Sequence, residues 1–597
     1  MRSDVAISAQ IEAKPTRGLT AVWLPRCEEL RAGATLVQRV LAARGVGGES
    51  AESFLNPKLS ALHDPSLMPG LDVAAERLLR AANSGEAIVI YGDYDVDGIS
   101  ASAILFHALR AVAPGANVRT YVPHRLEEGY GLNAASVQEL CEVGVGGASS
   151  GGPAKLIVSV DCGITAREPA MVAKRAGVDL IITDHHNLPS EAEGFPQAFA
   201  LVHPRMPGSV YPFGELCGAG VAFKLAWRVM TLSVGGGKLP EHLREVLLEL
   251  LGLTSLGVIA DVVPLVDENR VIARWGLSRI KYSKIEGLRA LVEASGLGGE
   301  NIKAEDVGFK LGPRLNACGR MGHAREAVEL LTTATGARAI AIAQQLSQQN
   351  DQRRATERAI FEQAVELAER SGMTGDDRRA IVLAHPEWHQ GVVGIVCSRL
   401  VEKFHRPTIL MREHEGVCHG SGRSIDGYSL HAGLMACEKH LSKFGGHDMA
   451  AGLALSRDEL GAFAEAFTAH ANAAISPADL VAKHRYDTVA SVEELTVAAV
   501  SQLEKLAPFG RDNPGVRLRI EGAKIATRPQ LLGASNKHLT FAIATRGAAM
   551  RCLAWNWGER VQQLPLGASV DVLATPKINS WHGRSSVELE VVDVAGG

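Results

Sequence analysis

Asp93, Asp95 and Asp97 fall within five positions of the stretch VIYGDYDVDGIS, residues 89–100, directly after an apolar run. Like charges this close repel, the more so in a partly buried site. Three further apolar runs end in comparable groups: LIVSV in Asp161, LIIT in Asp184, His185 and His186, and SLGVIA in Asp261. Crowded carboxylates become tolerable when divalent cations sit between them. A mixed carboxylate and imidazole set suits Mn2+, with Mg2+ the weaker fit because imidazole is a poor ligand for it. The set is large enough for two ions about 4 Å apart sharing a bridging carboxylate. Such a pair activates a water and stabilises both oxygens of an in-line displacement at phosphorus.

Each group alone also has an ordinary reading. A D-x-D is usually a turn or a helix cap, and Asp97-Gly98 before ISASAIL can be a helix N-terminus. Asp161 before Cys-Gly can be a turn residue, and adjacent histidines are more often surface or hydrogen-bonded residues than ligands. Four such endings together favour the metal site. Asp93 and Asp184 are its weaker members, since a turn or supporting role fits each equally well.

The elements that must position these groups follow from the pattern around them. EAIVIYG, KLIVSVDCG and VDLIITDHH read as short buried strands, and SASAILFHALRAV and EPAMVAKRAG between them have helical spacing. Strands alternating with helices indicate parallel βαβ units. SLGVIA is taken as a fourth strand. Ligands of open α/β sheets bind outside the carboxyl ends of the strands, so one edge would collect all four endings.

Further along, residues 337–371 contain no Gly or Pro, which predicts a helix on the order of 50 Å long. Its polar QQLSQQNDQRR segment suits a bridge between domains better than a core helix. A second α/β unit follows, with strand RAIVLA, helix GIVCSRLVEKF and strand PTILM. The end of the chain has short β-branched runs between turns, the pattern of a small all-β barrel or sandwich. Expected boundaries are a helical lead-in over 1–84, a sheet domain over 85–275, a helical connector over 276–376, a second α/β domain over 377–478 and a β domain over 479–597. GASSGGP, residues 147–153, reads as a flexible loop.

Composition sets outer limits. The 597 residues carry a net charge of −4, so a polyanion could be held only by local patches. One such patch is expected between Arg511 and Arg551, where eight Lys/Arg face two acids. The nine cysteines form no C-x-x-C pair, which argues against a disulfide framework and a structural zinc site. MRSDVAISAQIEAKPTRG lacks the apolar core of a signal peptide. The most apolar stretch, residues 246–265, carries Glu249, Asp261 and a proline and is rejected as a membrane span. A cytoplasmic location is expected.

DYDVDG, VSVDCGI, TDHHNLP and IADVVPL resemble successive motifs of the DHH phosphoesterase superfamily. HPEWHQGVVGIVCSRL, GSGRSIDGYSL and FGGHDMAAG resemble the DHHA1 domain. With GPRLNACGRMGHAREAVELL before the long helix, the arrangement is similar to the RecJ family over roughly residues 30–590. The resemblance implies an α/β protein: a parallel-sheet DHH domain joined by a long helix to a DHHA1 domain, with a C-terminal OB-fold. It implies a single-stranded-DNA-specific 5′→3′ exonuclease that uses two Mn2+ ions, or Mg2+, and releases 5′-mononucleotides. Asp95, Asp97, Asp161, His185 and Asp261 match metal ligands, with Asp161 the bridge, and His186 matches the contact to the scissile phosphate.

Arg125 resembles a 5′-phosphate contact, joined by Ser421 and Arg423; an ion pair of Arg125 with Glu127 or Glu128 is the competing reading. Gly445 and Gly446, ahead of a helix-like segment, would bring backbone amides to phosphates, with His447 assisting. Arg314 and Arg320 line the strand's path or form interdomain salt bridges. Trp555, Trp557 and Trp581 are candidates for base stacking or for the core. His323 departs from the family pattern, which commonly has an acid there, and Leu256-Gly257 stand where Gly-Thr is frequent.

A role in recombination and repair, a helicase and a single-strand-binding protein as partners, and a monomeric state are also implied. Two other functions compete: a hydrolase of short oligonucleotides or cyclic dinucleotides, and an inactive scaffold. Shorter relatives lack the C-terminal barrel, and inactive ones lose metal ligands; here every ligand position is filled.

Overall fold

The structure is a computed structural model. It describes residues 15–27, 34–125, 127–146, 152–581 and 583–596, with Glu49 and Trp581 described in their backbone only. Most of the expected 147–153 loop and of the N-terminal stretch searched for a signal lies outside these residues. No helix among the described residues is long and apolar enough to cross a membrane. The chain divides into two compact units: Pro57–Thr356 with Pro508–Pro514, and Met1–Asn56 with Glu357–Ala507 and Gly515–Gly597.

The first unit holds a five-stranded sheet of β1 (Ile88–Gly92), β2 (Val118–Tyr121), β3 (Leu156–Val160), β4 (Asp179–Thr183) and β5 (Ala200–Val202). All pairings are parallel and the order is β2-β1-β3-β4-β5. β1 and β3 are buried throughout, as expected for a parallel sheet covered on both faces. The order reverses between β1 and β3, and a crevice at such a switch point is where ligands bind in this topology. Three of these strands are the expected ones. β2 and β5 escape sequence reading because they have only four and three residues, and the arginine and threonine of β2 dilute its apolar signal.

Helix α1 (Val96–Val112) is buried at every residue from Val96 to Leu105, between the sheet and helices α2 (Gly218–Ser233) and α3 (Glu241–Ala260). Here the expectation fails: SLGVIA is the last part of a 20-residue helix, not a strand. The run is apolar on all sides because the helix is buried, so its six residues alone carry no period. Two glycines inside α3 mark close packing rather than breaks. A side chain at Gly257 would overlap Asp97, and one at Gly252 would contact Ile280.

Helix α4 (Gly336–Arg370) runs 35 residues without a break, as predicted. It is followed, in the second unit, by β6 (Ile381–His385), α5 (Gln390–Phe404), β7 (Thr408–His414), β8 (Val417–Arg423), β9 (Lys443–Gly446) and β10 (Ala450–Ser456). The sheet order is β9-β10-β8-β7-β6, with only β6 and β7 parallel. FGGHDMAAG is therefore a β-hairpin, not a loop ahead of a helix: Gly445 pairs with Gly452 and Gly446 with Ala451. Its glycines and alanines suit close strand pairing, which the helix-like composition concealed.

The C-terminal strands β11 (Leu518–Ile525), β12 (His538–Thr545), β13 (Ala548–Ala554), β14 (Ser569–Trp581) and β15 (Arg584–Gly596) pair around a ring, β11-β14-β15-β13-β12 and back to β11. That is a five-stranded barrel of the OB type. The lead-in is not purely helical. Its strand Ala21–Pro25 pairs in parallel with Ala482–Tyr486, and buried Trp23 donates from Nε1 to Oδ2 of buried Asp593 at 2.8 Å. No local pattern reveals a pairing across more than 450 residues of chain.

Candidate metal centre

The residues after β1 are shaped by their backbone neighbours. Asp95 is the N-cap of α1, where its Oδ1 accepts from the amides of Asp97 at 2.9 Å and Gly98 at 3.2 Å. The capping reading thus holds for this segment, with Asp95 rather than Asp97 as the cap. Asp97, in the first turn of α1, accepts from the first two amides of α2: Gly218 at 2.6 Å and Ala219 at 2.9 Å. A helix N-terminus aimed at a carboxylate stabilises its charged form. Glycine is required at 98, because a Cβ there would stand 2.5 Å from the Asp93 carbonyl oxygen.

Asp161 follows β3 in the left-handed region at φ 64°, a strained conformation for a residue with a side chain. A Cβ on Gly218 would come within 2.5 Å of its Oδ1, so the same glycine that serves Asp97 leaves room for Asp161. His185 and His186 follow β4. Asp261 caps the C-terminus of α3, and the next residue, Val262, is also left-handed at φ 55°. A helix end rather than a strand end therefore delivers the fourth group.

These endings converge. His185 Nε2 lies 3.2 Å from Asp161 Oδ1, 3.6 Å from Asp261 Oδ2 and 3.8 Å from Asp97 Oδ2. Three sets each offer ligand atoms within 4.8 Å of one another: Asp93, Asp95 and Asp161; Asp161, His185 and His186; Asp97, His185 and Asp261. Asp161 belongs to two of them. Asp93 Oδ1, Asp161 Oδ1 and His185 Nε2 are buried and form no hydrogen bond. Unpaired buried polar atoms are costly, and oxygen and imidazole donors left open side by side fit a divalent cation such as Mn2+.

The electrostatics agree. Burial and then the Asp95 charge push the Asp93 carboxyl well above its ordinary range. Burial and the Asp97 charge do the same to Asp161 and carry Asp261 to about 8. Burial lowers His185 to about 4, so its imidazole is neutral and able to ligate. His186 behaves oppositely. Burial pulls it down, but the hydrogen bond and charge of Asp184 and the charges of Asp261 and Asp97 carry it up to about 9.

Asp184 engages both of its carboxylate oxygens in hydrogen bonds. Its Oδ1 accepts from the amides of His185 at 2.7 Å and His186 at 3.1 Å and lies 2.7 Å from His186 Nδ1, while Oδ2 accepts from Ile164 N at 2.9 Å. Sequence reasoning missed several neighbours. The Tyr130 hydroxyl lies 3.1 Å from the His186 ring, His203 Nε2 lies 2.8 Å from the His186 carbonyl oxygen, and Arg205 donates to the His185 carbonyl at 2.6 Å. Only CGAG at the start of α2 carried a signal, that of a glycine-rich helix N-terminus able to hold an anion.

The expected substrate contacts are distributed over both units. In the first, the Arg125 guanidinium lies 4.8 Å from the centroid of the Tyr94 ring, and its charge reaches Asp93. Glu128, one of the competing partners, is occupied by Tyr121, Ser136 and the His124 amide. The Arg320 charge reaches Tyr94. Arg314 is tied inside the unit, to Ser347 Oγ at 3.0 Å and the Lys310 carbonyl at 2.8 Å.

In the second unit, Ser421, Gly452 and Gly445 stand opposite one another across β8, β10 and β9. Gly394 near the start of α5 lets Ser421 Oγ and an Arg423 nitrogen approach: its Cβ would be 3.3 and 3.4 Å from them. His447, in the hairpin turn, donates its amide to the Ala450 carbonyl at 2.8 Å.

Of the expected basic patch, Arg511 belongs to the first unit, Arg519 is paired with Asp571 at 2.6 Å, and Arg551 with Glu588 at 3.5 Å. Of the tryptophans, Trp557 is buried and Trp555 is 48% exposed, edge-on to His538; the Trp581 side chain lies outside the described residues.

Comparison with known proteins agrees with this architecture. The sequence matches the DHH family N-terminal domain over residues 87–256, the DHHA1 domain over 377–473 and the RecJ OB domain over 486–593. It is 37% identical to the single-stranded-DNA-specific exonuclease RecJ of Bacillus subtilis, over 94% of this chain and 68% of that protein. It is 32% identical to the protein of that name in Escherichia coli, over 94% and 95%. The structure is similar to that of RecJ from Thermus thermophilus in complex with Mn2+, with a TM-score of 0.76 and 32% identity over 94% of this chain and 78% of that one. A structure of the same Thermus protein in complex with Mg2+ gives a TM-score of 0.71.

Proposed function

The chain belongs to the RecJ family of single-stranded-DNA-specific exonucleases, and we propose that it degrades single-stranded DNA from the 5′ end to 5′-mononucleotides with two Mn2+ ions. The observation that carries this reading is the set of buried, hydrogen-bond-free ligand atoms on Asp93, Asp161 and His185, with His185 Nε2 only 3.2 Å from Asp161 Oδ1. Asp93, Asp95 and Asp161 would hold one ion and Asp97, His185 and Asp261 the other, with Asp161 shared. When bound, such ions lower the pKa of a water and neutralise charge developing on the phosphate.

The chain's own groups supply the rest. Asp97 is fixed by the α2 amides, so the ligand set is held in place before substrate arrives. His186, charged at neutral pH and steadied by Asp184 and Tyr130, can donate to a non-bridging oxygen of the scissile phosphate. Arg125, beside Tyr94, can take the terminal phosphate, as can Ser421 and Arg423 beside the bare Gly445–Gly452 strip. A monomer working in the cytoplasm beside a helicase and a single-strand-binding protein, in recombination and repair, completes the reading. The test is a Mn2+ titration on single-stranded DNA labelled at its 5′ end. Labelled mononucleotide should appear first and only with the metal; early release of a 3′ label, or turnover in chelator, would overturn it.

A further inference from the structure

The seven residues Pro508–Pro514, PFGRDNP, leave the second unit after Ala507 and rejoin it at Gly515, yet they pack with the first. The loop is built to hold its shape. Gly510 and Asn513 form a β-bridge, with N–H to carbonyl distances of 2.9 and 3.3 Å, and buried Asn513 donates to the Pro508 carbonyl at 2.8 Å. Asp512 takes the left-handed conformation at φ 58°. The loop docks four residues past Asp261: Leu265 N donates to the Arg511 carbonyl at 2.9 Å. A Cβ at Gly510 would stand 2.7 Å from Leu265 Cδ1, so glycine permits the contact.

The loop carries one cation, Arg511. Its side chain is exposed, and no side-chain hydrogen bond or ion pair engages it among the described residues. An exposed arginine is ordinarily only solvated. This one is anchored through its own carbonyl to Leu265, four residues past Asp261, and its charge reaches Asp261.

We propose that Arg511 is a substrate-binding residue of this centre, taking a phosphate oxygen of single-stranded DNA at the Asp261 end. The inference rests on the nuclease reading above. An unpaired guanidinium is well suited to a phosphodiester, which it can bind through two parallel N–H···O bonds. The contact is with the backbone, so it should be blind to base sequence.

The experiment compares wild type with Arg511→Ala and Arg511→Lys. Binding of a 5′-phosphorylated oligothymidylate is measured against salt with Ca2+ replacing Mn2+, and kcat/KM is measured with Mn2+. The loop's grip on Leu265 uses the Arg511 carbonyl, so Arg511→Ala leaves that hydrogen bond intact; an unchanged Tm verifies it, and Arg511→Gln substitutes if it falls. Losing one phosphate contact should flatten the slope of log K against log salt by about 0.7. It should also lower kcat/KM about 10-fold, mainly through KM, while Arg511→Lys retains the slope. An unchanged slope and KM in Arg511→Ala would overturn the proposal. So would an unchanged slope with a shifted Mn2+ midpoint, which would make Arg511 a support of Asp261. Failure of the wild type to degrade the strand with Mn2+ would instead remove the nuclease reading itself.

Discussion

The two histidines of TDHH are neighbours in sequence and opposites in chemistry. His185 is stripped of solvent and falls to about 4, while His186, backed by Asp184, rises to about 9. One is thereby suited to ligate and the other to donate. Asp184→Asn removes the charge that holds His186 up and should return it toward its ordinary 6.5. The charged form of His186 would then be lost at lower pH, so the alkaline limb of the kcat/KM profile should move down by about 1–2 units. Mn2+ affinity should change less. An unmoved limb would mean that His186 charge plays no part in turnover. Residue types at this scale were legible in the sequence, because Asp and His after apolar runs have few other uses in such number. The support was not: Tyr130, His203 and Arg205 come from distant loops and carry no spacing signal.

Among elements, the N-terminus of α2 has the most to do. It donates two amides to Asp97, and its first residue gives Asp161 room. Gly218→Ala should displace one or both carboxylates without unfolding the unit, weakening Mn2+ binding by about 10- to 100-fold, a loss typical of residues that orient ligands. Isothermal titration with Mn2+ measures this, and wild-type affinity in a folded variant would show that the helix end is not a determinant. The sheet strands β1, β3 and β4 could be read from short β-branched runs with turn residues at their ends. Asp261 was read on the wrong element, because a largely buried helix end and a buried strand look alike over six residues. The hairpin of Gly445 and Gly446 shows the same ambiguity from the other side, with small residues that suit either structure.

For the whole chain, the domain order was legible and its closures were not. Strand Ala21–Pro25 reaches Ala482–Tyr486, and Arg44 near the end of the first lead-in helix pairs with buried Asp487 through both carboxylate oxygens at 2.9 and 3.1 Å. Removing everything after residue 480 would therefore strip more than a DNA-binding barrel. It would expose Trp23 and delete the 508–514 loop that holds Leu265 beyond Asp261. A clean loss of long-strand binding with dinucleotide hydrolysis spared, which the domain order alone suggests, is replaced by a different expectation. The truncated chain should show a lower Tm and reduced hydrolysis of dinucleotides as well; full retention of both would contradict the role given to these closures.

Anomalous diffraction at the manganese edge from crystals grown with Mn2+ tests most directly whether four chain segments build one two-ion centre. Two peaks about 4 Å apart are predicted, one among Asp93, Asp95 and Asp161 and one among Asp97, His185 and Asp261, both absent in Asp161→Ala. A crystal saturated with Mn2+ that shows no peak among these residues would contradict it.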